Sequence, residues 1–88
     1  MTVRVSKKFI RNLHAMRLKA LVDEWERVVE EAEKAATPEE LSAFRWLRDS
    51  DRYGRIRIHD YRLGVRTQED TITFVCVVHR SVFDDYFP

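Results

Sequence analysis

The chain has 88 residues, enough for one small hydrophobic core, and we expect a single domain over residues 1–88. Apolar residues make up 44% and charged residues 35% of the chain, with two glycines and two prolines, which excludes a disordered or linker-rich protein. The longest apolar run, residues 74–78, is too short to cross a bilayer, and no apolar stretch of the kind found in a secretory signal follows the first charged residues. A single cysteine, Cys76, excludes an internal disulfide, so we expect a cytoplasmic protein that does not bind membranes.

Charge alternates along the chain in four blocks. The net charges are +6 for residues 1–22, −6 for 23–44, +4 for 45–66 and −3 for 67–88. Arginine outnumbers lysine twelve to four, and every cation from position 45 onward is arginine. Because the planar guanidinium group binds phosphate through two hydrogen bonds and stacks on bases, this usage favours a nucleic-acid or an acidic protein partner without choosing between them.

The N-terminal half reads as a short strand followed by helix. Residues 2–5 alternate polar and apolar side chains, and Ser6 is a suitable helix N-cap. Helical periodicity continues from Lys7 to about Ala36. Because one helix of that length is long for so small a domain, we predict a break between residues 14 and 19 and hence a helical hairpin. The apolar stripe is expected to pack in the core; it comprises Phe9, Ile10, Leu13, Met16, Leu21, Trp25, Val28, Val29 and Ala32.

The C-terminal half changes period. Thr37-Pro38-Glu39-Glu40 resembles a cap and first helical turn and predicts a short helix to about Leu47, followed by a loop at residues 49–51. Period-two and β-branched segments then predict three strands in a meander. The strands are expected at 55–58, 61–66 and 71–78, with turns at 59–60 and 67–70 and a last helical turn at 81–86. The predicted fold is α+β, with the N-terminal strand and helical hairpin packed on a small, mostly antiparallel sheet and the helices on one face.

Alternation in the first meander strand places Ile56 and Ile58 on one side and Arg55 and Arg57 on the other. The next strand adds arginines 62 and 66, and arginine 80 follows the last strand, so four or five guanidinium groups are expected on one face. Like charges this close destabilise the fold unless an anion lies between them. The residues alone fit a solvated, arginine-rich surface slightly better than a binding site.

Two further residues have side chains that can exchange protons. His79 ends the last strand, and Tyr86 follows seven residues later. A lone histidine at a strand end is more often structural than catalytic. Phe83 and Phe87 are four residues apart and are expected to anchor a terminal turn from which Tyr86 faces Arg80. Cys76 is expected to pack in the core, and no phosphate-binding loop, nucleotide fingerprint or zinc motif occurs, so we predict no metal and no cofactor.

Four features of the C-terminal half occur in a particular order: a basic alternating strand, an Asp-Tyr-Arg turn, a His-Arg strand end and a terminal aromatic residue. They are carried by Arg55–Ile58, Asp60–Arg62 with Gly64, Thr73–Val75 with Val78–Arg80, and Tyr86–Pro88. In this order and spacing they resemble the RelE/ParE superfamily of bacterial and archaeal type II toxins. The closer resemblance is to the RelE-like branch, whose members cleave messenger RNA in the ribosomal A site.

The resemblance implies a metal-independent endoribonuclease, an mRNA interferase, that acts on the ribosome and is neutralised by a cognate antitoxin in a hetero-oligomer. It implies that Arg55 and Arg57 contact the RNA backbone and that Arg62 binds the scissile phosphate. Arg80 would be the basic residue after the last strand, and Tyr86 would stack on or activate the substrate. We also expect RNA contacts from two flanking cations, Arg52 and Arg66.

Two departures from the family pattern matter for mechanism. Arginine occupies the first basic pair, where lysine is common, and arginine stays charged and is a poor proton acceptor. The general base is therefore expected to be Tyr86 or His79. Cys76 occupies a position that is often basic in relatives. Two other functions fit the sequence: a ParE-like gyrase poison of the same fold, and a non-catalytic module whose arginines bind an acidic peptide.

Overall fold

The computed structural model describes residues 1–88 as a five-stranded sheet with three α-helices. The elements are β1 (Thr2–Val5), α1 (Lys7–Met16), α2 (Lys19–Lys34), a 3₁₀ turn (Pro38–Glu40), β2 (Phe44–Trp46), β3 (Tyr53–Ile58), β4 (Tyr61–Gln68), β5 (Thr71–His79) and α3 (Phe83–Tyr86). The strand order is β1-β5-β4-β3-β2, with β1 parallel to β5 and all other pairs antiparallel. The predicted α+β fold is confirmed. No helix has the length and apolar composition needed to cross a membrane.

The helical hairpin forms where the sequence predicts it. The Ser6 hydroxyl accepts a hydrogen bond from the Phe9 backbone N–H at 3.0 Å, which caps α1. Arg17 adopts a left-handed conformation with φ 53° and ends α1, so the chain reverses into α2. The apolar stripes of both helices cover one sheet face. The buried residues of this main core include Phe9, Leu13, Leu21, Ile56, Leu63, Ile72 and Phe74.

The predicted helix from residue 37 to about 47 is wrong. Only one 3₁₀ turn forms, and residues 44–46 pair with β3 as an edge strand, so the meander has four strands. The reason is tertiary: the Phe44 ring fills the space beside Gly54, where an added Cβ would clash with it. The turn predicted at 67–70 is also shorter than expected, because residues 67 and 68 belong to β4.

A second apolar cluster lies on the sheet face opposite the hairpin. It consists of Cys76, Val78, Phe83 and Phe87, so α3 packs on this face and the helices do not all share one face as predicted. The approach is close at Gly64, where an added Cβ would lie 2.8 Å from both the Phe87 ring and the Cys76 Sγ. Cys76 is fully buried, as predicted, and burial raises the pKa of its thiol.

Candidate nucleic-acid interface

The sheet face that carries α3 is also the face that carries the arginines, and we call it the basic face. Pairing between β2 and β3 places Arg45 opposite Arg55, and pairing between β3 and β4 places Arg57 opposite Arg62. Ile56 and the other inward residues of β3 point into the main core, so alternation leaves the arginines on the far side. Cations from three adjacent strands therefore meet on one surface.

Four predicted site residues line one shallow cavity of about 390 Å³, here called the arginine depression. Its lining consists of Arg55, Arg57, Arg62, Arg80, Phe83 and Asp84. A neighbouring cavity of about 400 Å³ shares Arg55 and Arg57 and adds Arg45 from the edge strand. Sequence reasoning missed Arg45, because the residues around it were predicted to be helical rather than to pair with β3.

Arg62 lies at the centre of this charge. Its guanidinium Nη1 donates hydrogen bonds to the carbonyl oxygens of His59 and Tyr61, both at 3.0 Å, which hold it against the β3–β4 turn. Burial lowers the pKa of Arg62, and the positive charges of Arg57, Arg55 and Arg80 lower it further, while Asp60 acts in the opposite direction.

Only one of the four arginines makes an ion pair with a carboxylate: Asp60 Oδ1 lies 3.7 Å from Arg80 Nε, and both side chains are well exposed. An exposed pair of this kind neutralises little of the cluster's charge. An anion bound in the depression would therefore relieve repulsion among the guanidinium groups.

Tyr86 is not among the residues that line the arginine depression. The predicted aromatic anchor does form: the Phe83 and Phe87 rings are both buried, with centroids 5.5 Å apart. This orientation turns Tyr86 toward α1, where the Lys8 ammonium lies 4.3 Å from the centroid of its ring. Tyr86 is 43% exposed, so its ring can still be approached from solvent.

His79 also lies away from the depression. It pairs with Tyr61, which packs against the main core, and the two rings meet edge to face at 5.6 Å. The alternation of β5 thus places Val78 on the basic face and His79 on the other. The backbone N–H of Ser81 donates to His79 Nδ1 at 3.1 Å, and the Ser81 hydroxyl oxygen lies 2.9 Å from the same nitrogen.

The remaining predicted RNA contacts are separate from this cluster. Arg66 is further along β4 and lines a different cavity together with Arg4. Arg52 precedes β3, where its carbonyl accepts a hydrogen bond from the Thr67 N–H at 2.7 Å, and its side chain lines neither cavity of the arginine cluster. No three histidine, cysteine or acidic side chains come together as metal ligands.

Known proteins resemble this chain in both sequence and fold, although no family model matches it. It is 50% identical over 36 residues to Toxin RelE3 of Methanocaldococcus jannaschii, and the aligned segment spans 41% of the length of that relative. Its fold matches a chain of the RelB-RelE antitoxin-toxin complex from Methanococcus jannaschii with a TM-score of 0.78 and 27% identity, covering 97% of this chain and 99% of that one. A chain of the toxin-antitoxin complex RelBE2 from Mycobacterium tuberculosis matches with a TM-score of 0.59 and 29% identity, covering 90% and 96%.

These similarities and the basic face define a small α+β protein of the toxin-antitoxin class. In both sequence and fold, the chain is similar to RelE toxins.

Proposed function

We propose that this protein is the toxin of a type II toxin–antitoxin system and that it blocks translation as a ribosome-dependent, metal-independent mRNA endoribonuclease. The observation that carries the proposal is the convergence of Arg55, Arg57, Arg62 and Arg80 on one depression. Four guanidinium groups with a single weak carboxylate partner are more typical of a phosphate-binding site than of a surface without a ligand.

The proposed reaction is attack by the 2′-hydroxyl of the RNA on the adjacent phosphate. The O2′–P bond forms and the P–O5′ bond breaks, which leaves a cyclic phosphate and a 5′-hydroxyl that takes its proton from water. Negative charge grows on the phosphoryl oxygens in the transition state, and preoriented cations there lower the barrier. Arg62, held by two carbonyl oxygens of the turn, is the best positioned of the four.

The 2′-hydroxyl must give its proton to a base that the RNA can reach. Neither Tyr86 nor His79 lines the arginine depression. Asp84 is the one acidic residue in its lining. We expect the Asp84 carboxylate to accept the proton. On this view Tyr86, exposed beside Lys8, stacks on a base of the substrate.

The proposed protein partner is a cognate antitoxin, and the free toxin would act in the cytoplasm, where the ribosomes are. RelB-RelE and RelBE2 are antitoxin-toxin complexes, which supports a hetero-oligomer here too. The basic face is the surface that an acidic segment, disordered until bound, would cover. The complex is expected to weaken as salt rises, because surface charge pairs are screened. A partner that contacts only α2 would contradict this masking.

The test of the chemistry uses ribosomes programmed with a defined message. Cleavage fragments should carry a 2′,3′-cyclic phosphate, and a 2′-O-methyl group at the scissile nucleotide should abolish cutting because the nucleophile is blocked. Equal cleavage of the methylated message would rule out the mechanism. In cells, pulse-labelling after induction should show translation stopping before DNA synthesis; the reverse order would indicate a gyrase poison.

A further inference from the structure

A second cationic cavity, of about 240 Å³, lies at the other end of the basic face. Strand register places Arg4 of β1 and Arg66 of β4 on either side of Thr73 of β5. The two arginines are therefore about 10 Å apart at the backbone, two strand spacings. The lining contains no apolar side chain and is completed by Gln68, Glu69, Thr71 and Thr73.

Neither arginine of this cavity is neutralised. The ion pairs of the molecule are Lys19–Asp23, Arg27–Glu24 and Arg80–Asp60, so no carboxylate lies within pairing distance of Arg4 or Arg66. Glu69 lines the cavity without pairing to either arginine. Two unpaired guanidinium groups beside threonine hydroxyls and a glutamine amide offer a phosphate several donors in one place.

This cavity is distinct from the arginine depression. Arg62 and Arg66 are four residues apart on β4, which corresponds to about 13 Å along the strand. Between them lies Gly64, which is covered by the Phe87 ring. At the rise of one strand of duplex DNA, about 3.4 Å per nucleotide, this separation corresponds to roughly four stacked nucleotides. One phosphate therefore cannot bridge both cavities, whereas one RNA can.

We propose that Arg4 and Arg66 form a second RNA phosphate site, which holds the backbone several nucleotides away from the cleaved bond or on the neighbouring ribosomal RNA. This inference rests on the proposed function and adds to it a binding site that takes no part in the chemistry. Loss of the second site should raise KM and leave kcat close to the wild-type value, because its contacts are the same in the ground and transition states.

The test is a double variant, Arg4→Gln with Arg66→Gln, compared with Arg11→Gln with Arg27→Gln. The control makes the same change in charge on the exposed surface of the helical hairpin. Binding is measured on ribosomes carrying the uncleavable 2′-O-methyl message, and cleavage is measured on the unmodified message. Two lost phosphate contacts should lower the magnitude of the log–log salt slope by about 1.4. If the double variant and the wild type bind equally at 1 M salt, the variant should bind about 25-fold more weakly than the wild type at 0.1 M.

Each outcome decides a different point. If the Arg4/Arg66 double variant cleaves at the wild-type rate with unchanged binding, salt slope and KM, the second site is refuted. The proposed function is not affected by that result. A variant that binds ribosomes normally but loses affinity for an acidic antitoxin peptide would also overturn the second site, because the cavity would then serve the protein partner. Failure of the wild-type protein to cleave ribosome-bound message would refute the proposed function itself. Thermal denaturation confirms that both double variants fold.

Discussion

Replacing Arg62 with alanine should separate its part in catalysis from its part in the fold. The substitution removes two hydrogen bonds to the carbonyl oxygens of His59 and Tyr61. Each such bond contributes about 0.5–1.5 kcal/mol net. The same substitution relieves repulsion from Arg57, Arg55 and Arg80, which offsets part of that loss. We expect a decrease in unfolding free energy of no more than about 2 kcal/mol, so the domain should stay folded at assay temperature.

The effect on cleavage should be larger. A donor directed at developing charge is typically worth about 10²–10³-fold in rate, or about 2.7–4 kcal/mol. Arg62→Lys keeps the charge and loses the planar fork, so its rate should fall between those of the wild type and Arg62→Ala.

The assay is single-turnover cleavage of ribosome-bound message beside thermal denaturation of the same samples. Arg27→Ala, which removes a cation from α2 on the opposite side of the sheet, is the matched control and should cleave at the wild-type rate. Wild-type cleavage by folded Arg62→Ala would refute the proposal that the arginine depression holds the scissile phosphate. Equal loss in the Arg27→Ala control would mean that net charge alone is being measured.

Three further predictions follow from the same face. Asp84→Asn should lower the rate of cleavage by about 10²–10⁴-fold at unchanged thermal stability. Tyr86→Phe should cleave at the wild-type rate, and Tyr86→Ala should weaken substrate binding by about 1–3 kcal/mol. If Tyr86→Phe is inactive and Asp84→Asn is active, the general base is Tyr86 and not Asp84. Gly64→Ala should destabilise the domain by about 1–3 kcal/mol in chemical denaturation, since its Cβ would lie 2.8 Å from the Phe87 ring, and a change below about 0.5 kcal/mol would contradict the packing described. Because burial raises the pKa of Cys76, the folded state holds the thiol proton to higher pH than the unfolded state does. This contribution to stability is therefore complete below the unfolded thiol pKa of about 8.5 and is lost as pH rises through the folded value. Denaturation from pH 7 to 10 should show that decline in the wild type and a smaller decline in Cys76→Ala.

The helical hairpin and the paired strands β3 to β5 could be predicted from the sequence because their signals are local. Ser6 caps α1 through its own side chain, three residues from its partner. Period-two alternation in β3 separates isoleucine from arginine whatever the strand pairs with. The tight turn at residues 59–60 follows from the polar break between two such segments, and the structure has it there.

The edge strand β2 could not be predicted in this way. Thr37 and Glu40 do form the capping box that the sequence suggests. The helix stops after one turn, and Phe44 instead pairs with Ile56 in the sheet and packs beside Gly54. That contact joins residues ten apart in sequence, and local propensity has no access to it. Because β2 was not predicted, the position of Arg45 on the basic face was not predicted either.

The amino-acid order is enough to predict an excess of arginine in the C-terminal half and an alternation that places those arginines on one face of a sheet. Which of these arginines lie next to one another depends on how the strands pair. The register that sets Arg57 opposite Arg62 gathers one group, and four residues along β4 the same register assigns Arg66 to another cavity with Arg4. The positions of the Tyr86 and His79 side chains also depend on tertiary structure, because each is set by packing between segments far apart in the chain.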